Sequence, residues 1–221
     1  MNSDCIVHVI DDDEAVRESL AFLLLASGYT ARTYASADEF LSILDRIEHG
    51  CVVTDIRMPG MDGLDLVSHL QDVRPVLPVI VITGHADVPL AVQAMKGGAR
   101  DFIEKPFDDH SILEAVASAL QSDGEIPAGR TPAHVVRQRI AVLTNRERQV
   151  LRGLVDGQSN KAIARELEIS PRTIEIYRAN LMTKMDARTL SELVRMALVA
   201  GELLERTANS LNHRIPKVRL M

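Results

Sequence analysis

The chain has 221 residues, of which 46% are hydrophobic and 25% charged, and no apolar run is long enough to span a bilayer. This excludes a disordered chain, a collagen-like repeat, a coiled-coil rod and a partner membrane, and the length suggests one or two domains. The net charge of −6 argues at first against nucleic acid, yet residues 1–120 carry 20 acids and 8 bases while residues 138–221 carry 9 acids and 15 bases. An acidic half joined to a basic half is therefore expected. Met1-Asn2-Ser3-Asp4-Cys5 has no basic run of a secretory signal, and Cys5 and Cys51 sit in apolar runs as reduced core residues. A cytoplasmic location is expected.

The first half alternates strands and helices. Cys5–Ile10 is a short apolar run, a buried strand. Val16, Leu20, Leu23 and Leu24 recur at helical spacing and end at Ser27-Gly28. Thr30–Tyr34 is a strand, and a helix follows Ser36 with Glu39 completing a capping box. The strand Cys51–Thr54 precedes a helix from Gly63, and Leu77–Ile82 precedes a helix from Val88 to Lys96. The strand Arg100–Glu104 precedes a last helix over Asp109–Leu120. The prediction is an α/β doubly wound domain over residues 4–122 with five parallel strands.

Residues 123–137, with their Gly and Pro, read as a linker. Residues 138–203 read as a small all-α domain of four helices. Thr144 and Glu147 form a capping box, and that helix ends at Gly157. Ser159 opens a short second helix. Ser170 and Pro171 open a third that runs to about Met185, and a fourth covers about Leu190–Val199. Two short helices joined by a tight turn are the helix-turn-helix pattern. Residues 204–221 read as a flexible tail.

In a doubly wound sheet, ligands bind beyond the carboxyl ends of the strands. After the first strand stand Asp11, Asp12 and Asp13, after the third Asp55, after the fourth Thr83, and after the fifth Lys105-Pro106. Taken singly, each is an ordinary loop residue or cap, and Asp13 fits a helix N-cap best. Taken together, converging carboxylates call for a hard divalent cation, most naturally Mg²⁺, at a phosphoryl-transfer site. Asp55 is the candidate nucleophile for an aspartyl-phosphate, with Lys105 neutralising and Thr83 hydrogen-bonding the phosphoryl oxygens.

The runs Val9-Ile10-Asp11-Asp12-Asp13, Thr54-Asp55-Ile56-Arg57-Met58-Pro59-Gly60-Met61-Asp62-Gly63, Ile82-Thr83-Gly84 and Phe102-Ile103-Glu104-Lys105-Pro106-Phe107 resemble the receiver domain of two-component response regulators. The resemblance implies that Asp55 accepts phosphate from a cognate histidine kinase. It implies Mg²⁺ at Asp11, Asp12, Asp55 and the backbone carbonyl of Arg57. It also implies that Phe102 is a switch aromatic that turns inward as Thr83 moves toward the phosphoryl group, and that the bond before Pro106 is usually cis.

On the third helix of the basic half, Arg172, Thr173, Glu175, Tyr177, Arg178, Asn180 and Lys184 form the polar side, with Lys161 and Ser170 nearby. Arg, Asn and Glu can read base edges, while Lys, Ser and Thr hold phosphates. The segments Leu143–Leu151, Asn160–Ala164 and Ser170–Glu175 resemble the LuxR/NarL type of output domain. With Gly84-His85-Ala86-Asp87-Val88-Pro89, the whole chain is similar to the FixJ subfamily of response regulators. That resemblance implies a transcriptional activator, with nitrogen-fixation or respiratory genes as one target class. Its partners would be the kinase, promoter DNA and RNA polymerase, and phosphorylation would produce a homodimer. The protein would accept phosphate rather than turn over a substrate. Two rival readings are a Mg²⁺-dependent phosphatase working through an aspartyl-phosphate and a constitutive DNA-binding regulator.

Overall fold

The computed structural model describes residues 6–84, 88–121 and 131–198. The chain divides into two units between Arg130 and Thr131.

In the first unit, β1 (Ile6–Ile10), β2 (Thr30–Tyr34), β3 (Cys51–Asp55), β4 (Val79–Thr83) and β5 (Asp101–Glu104) form one sheet. All pairings are parallel, in the order β2-β1-β3-β4-β5. The direction of winding reverses between β1 and β3, which opens a crevice beyond their carboxyl ends. The central strands β3 and β4 are buried along their whole length. That is why both read as unbroken apolar runs rather than as alternation.

The helices are α1 (Glu14–Ala26), α2 (Ala37–Leu41), α3 (Gly63–Val73), α4 (Val88–Lys96) and α5 (Asp109–Leu120), with a 3-10 turn at Leu44–Arg46. Val7, Val9, Val53, Ile80 and Ile82 of the sheet pack with Leu20 and Leu24 of α1 and with Ile112, Ala115, Val116 and Ala119 of α5. Short acids start the helices: Asp13 accepts from the Ala15 N–H, Asp62 from Leu64 and Asp65, and Asp108 from Ser111. The expected box at Ser36 is displaced by one residue, because Glu39 accepts from the Ala35 N–H rather than from that of Ser36. Strand ends also shift: β4 begins at Val79, not Leu77, and reaches Thr83, and β5 begins at Asp101. Cys51 is buried and reduced, while Cys5 lies outside the described residues.

Strand alternation turns His8 to the opposite face from Val7 and Val9. It is fully buried there, with Nδ1 2.9 Å from the Tyr34 hydroxyl, while its Nε2 has no partner among the described residues. Its ring stacks on Tyr34 and meets Phe40 edge-on. Burial, and secondarily the Arg32 charge, lowers its pKa from 6.5 to about 4. The folded protein thus holds His8 neutral, while the unfolded chain takes up a proton below its ordinary pKa. Stability is full above that value and falls as the pH drops toward the folded one. Between pH 7 and pH 5 the loss from this group is about 2 kcal/mol. Urea unfolding at the two pH values should find it in the native chain and miss it in His8→Leu; equal pH slopes would contradict it.

The second unit holds α6 (Ala133–Ala141), α7 (Asn145–Val155), α8 (Asn160–Glu166) and α9 (Pro171–Met185), and residues 190–198 are also helical, as α10. The four helices read from sequence are all present, and α6 precedes them. Residues 133–137, expected to be linker, are therefore its first turns. Val136 of α6 is buried, and Arg139 donates to the carbonyl of Met185 at 2.7 Å and to Asp186 at 2.6 Å. These contacts fasten α6 to the end of α9. The expected linker residues 123–130 and tail 204–221 lie outside the described residues.

The Thr144–Glu147 capping box forms as expected. Ser159 caps α8, and Ser170 caps α9 with Pro171 at its first position. Val150, Leu154, Ile163, Ile174, Leu181, Met185, Leu193 and Val194 are buried around the common core.

Candidate functional site

The parallel register sets Ile10 beside Thr54, Asp55 beside Ile82 and Thr83 beside Glu104. The residues that follow β1 and β5 therefore meet the last residues of β3 and β4 at one sheet edge. Asp55 is 7% exposed and Asp11 is 1% exposed. Lys105 Nζ donates to Asp11 Oδ2 and to Asp55 Oδ1, each at 2.7 Å. Burial works against the Lys105 charge, but the hydrogen bonds and charges of Asp11 and Asp55 outweigh it and hold the ammonium above its usual range.

The backbone orients both acids. The Arg57 N–H donates to Asp55 Oδ2 at 2.6 Å, and the Asp13 N–H donates to Asp11 Oδ1 at 2.9 Å. Thr83 is buried, and its carbonyl accepts from the Lys105 N–H at 2.8 Å. That bond pins the start of the Lys105 loop to the end of β4. The Lys105–Pro106 peptide is cis. Arg17, absent from the residues picked out by sequence, donates from α1 to the Asp11 carbonyl at 2.7 Å. Its sequence signal is weak, a single base one turn into an amphipathic helix.

Gly63 is a second omission among the site residues. A Cβ at that position would overlap the Asp55 carbonyl, so the start of α3 lies against the backbone of the candidate nucleophile. Gly63→Ala should destabilise the first unit by about 1–3 kcal/mol through this overlap. Thermal unfolding checks this, and an unchanged melting temperature would contradict the close approach.

The donor set suits a hard cation, since two nearly buried carboxylates share only one ammonium. Asp12 is exposed and stands beside them in sequence. Among the described residues, no three His, Cys, Asp or Glu side chains are already gathered as a metal site. In this conformation Lys105 is the cation between Asp11 and Asp55.

Phe102 is 6% exposed. In this conformation the ring is therefore already inside.

On the second unit, Lys161, Ser170, Arg172, Glu175 and Asn180 are exposed, while Thr173 and Tyr177 are half-buried. Ser170 is occupied as the α9 cap, accepting from the Thr173 N–H at 3.1 Å. Two expected DNA contacts have protein partners. Arg178 is half-buried and reaches Asn160 of α8 at 3.4 Å, and Lys184 donates to Glu147 of α7 at 2.8 Å. The reason is helical phase: Arg178 lies four residues from buried Ile174, on the inward side. Glu147 is 3% exposed, and hydrogen bonding to Lys184 holds its carboxyl below the usual range against the opposing effect of burial.

The response regulator receiver domain family matches residues 7–117, and the luxR family of bacterial regulatory proteins matches residues 141–197. The transcriptional regulatory protein FixJ of Azorhizobium caulinodans is 56% identical over 88% of this chain and 92% of its own length. The C4-dicarboxylate transport transcriptional regulatory protein DctR of Rhodobacter capsulatus is 42% identical over 86% of this chain and 98% of its own. The crystal structure of full-length FixJ from B. japonicum is 48% identical, covers 91% of this chain and 99% of that one, and superposes with a TM-score of 0.53.

The chain belongs to the two-component response regulators, with a receiver domain and a LuxR-type DNA-binding domain. It is a transcriptional regulator of the FixJ-like kind. Among the described residues, no helix is long and apolar enough to cross a membrane.

Proposed function

We propose that Asp55 accepts a phosphoryl group from a cognate histidine kinase and that this modification drives dimerisation and promoter binding. The observation that carries the reading is the double ion pair of Lys105 with Asp11 and Asp55, both at 2.7 Å. It sets a nearly buried carboxylate against a fixed cation. An Asp55 oxygen bonds to phosphorus as the P–N bond to the donor imidazole breaks. Lys105 neutralises a phosphoryl oxygen and the Thr83 hydroxyl donates to another. Asp11, Asp12, Asp55 and the Arg57 carbonyl would hold Mg²⁺, which supplies further charge neutralisation to the phosphoryl group. The added charge and acceptor oxygens draw Lys105 and Thr83 toward residue 55 and repack the end of the sheet. Phe102 fills that end from the inside and fixes the repacked arrangement.

The dimer sets two copies of α9 on half-sites about one DNA turn apart. From there the protein activates transcription with RNA polymerase, in the cytoplasm. Arg172, Glu175 and Asn180 face base edges, while Lys161, Ser170 and Thr173 hold phosphates. Tyr177 and Arg178 are half-buried and Lys184 is held by Glu147, so these three support that face.

The test measures promoter binding with and without acetyl phosphate, together with phosphate release. Tighter binding with donor and a one-to-one phosphoprotein are expected. Equal binding in both conditions would favour the constitutive regulator, and steady phosphate release from small substrates would favour the phosphatase.

A further inference from the structure

We infer that Ile176 reads a thymine, its side chain packing on the 5-methyl group of one thymine in the major groove. The inference rests on α9 being the helix that enters that groove. Of the other large apolar side chains of α9, Ile174, Leu181 and Met185 are fully buried and Met182 is half-buried, yet Ile176 is 58% exposed. At about 100° per residue, Ile176 stands about 200° round the helix from Ile174, opposite the core. Arg172, Thr173, Ala179, Asn180 and Thr183 lie within about 60° of it; Thr173 is half-buried and the other four are exposed. Ile176 is thus at the centre of the outward face, at a position that a search for polar residues passes over.

Helix propensity gives no reason for an isoleucine there. A β-branched residue at an exposed helical position is less favourable than Ala, Lys or Glu, and it leaves apolar surface in water. The base edges of the major groove offer one apolar group, the thymine methyl. Ala179 and Thr183, one turn and two turns further along, are short, and the Thr183 hydroxyl is turned back to the Ala179 carbonyl at 3.1 Å. They leave room for a base edge to approach the Ile176 side chain. The residue also lies in the first half of a helix whose start is fixed by Ser170 and Pro171, the part of a recognition helix that contacts bases.

The experiment uses the full chain, phosphorylated with acetyl phosphate, to select a binding site from random DNA duplexes. Each thymine of the selected site is then replaced singly by deoxyuridine, which lacks only the 5-methyl group. At one position of each half-site the replacement should weaken the native protein about three- to fivefold, the effect of exposing one methyl group. Ile176→Ala should bind the thymine site with about that same loss and show no further loss with deoxyuridine, while Ile176→Val should keep most of the discrimination. Ile176 is outside the core, so both variants should unfold at the native temperature. Ile176→Ala remaining as sensitive to deoxyuridine as the native protein would overturn the inference. So would unchanged DNA affinity with reduced transcription, which would assign the side chain to a protein partner. Arg172→Ala separates the two layers: loss of affinity there without Ile176–methyl coupling overturns only the thymine contact. No loss in either variant removes α9 from the groove as well.

Discussion

Asp55→Asn abolishes labelling by acetyl phosphate or by a histidine kinase, a reduction of at least about a hundredfold. The variant replaces the carboxyl oxygen proposed as nucleophile by an amide that forms no acyl phosphate. Its fold should survive. The amide oxygen can still accept from the Arg57 N–H, and Lys105 keeps its ion pair with Asp11 at 2.7 Å. A normal unfolding transition with no incorporated phosphate is therefore the expected pair of results. Undiminished labelling would move the nucleophile elsewhere, and Asp11 and Asp12 would be the next residues to substitute.

Glu147→Ala destabilises the DNA-binding domain by about 3 kcal/mol, combining a lost cap of about 1 kcal/mol with a broken, largely buried ion pair. One carboxylate does three things there. It accepts from the Thr144 N–H at 2.7 Å and from the Thr144 hydroxyl at 2.9 Å, and it holds Lys184 of α9 at 2.8 Å. The ion-pair part is smaller than for a fully buried pair because the Lys184 side chain is 37% exposed and can return to water. A domain of this size has a total stability of only about 3–10 kcal/mol, so much of the population would unfold. Urea unfolding of the second domain measures the loss, and Glu147→Gln, which can keep the capping bonds, should lose less. A change below about 0.5 kcal/mol would show that Lys184 and Thr144 find equivalent partners without it. Because the folded carboxyl is held below its usual range, its contribution is present above the ordinary glutamate pKa and is lost as acid protonates it.

Both halves were legible where their physics is local. Strands buried on both faces must be apolar throughout, so Cys51–Thr54 announced itself in sequence. Helices must satisfy their first N–H groups, so Ser159, Ser170 and Thr144 marked three starts within one residue. The acids, Thr83 and Lys105 then followed from strand ends alone. What sequence hid depends on direction. Helix α6 has Pro132 as its cap residue and only Val136 buried, so the Gly- and Pro-containing approach to it read as linker. Polar residues occur nearly all round α9, and their types do not say which of them face a neighbouring helix. Residue type therefore did not show that Arg178 reaches Asn160 or that Lys184 reaches Glu147, and nothing in its residue type set Ile176 apart from the core. Phe102 likewise showed its position but not the way its ring points.

The grip of Arg139 on Met185 and Asp186 has a mechanical consequence. The chain enters the second domain through α6, so any tug arriving along the backbone at residue 131 is delivered first to that helix. Two short hydrogen bonds pass it on to the end of α9, beside buried Val136 and the bond from Arg148 of α7 to the Ala141 carbonyl. The covalent tether thus works on the far end of α9 like a hand on the butt of a lever, while its capped start at Ser170 is the end proposed to meet the bases.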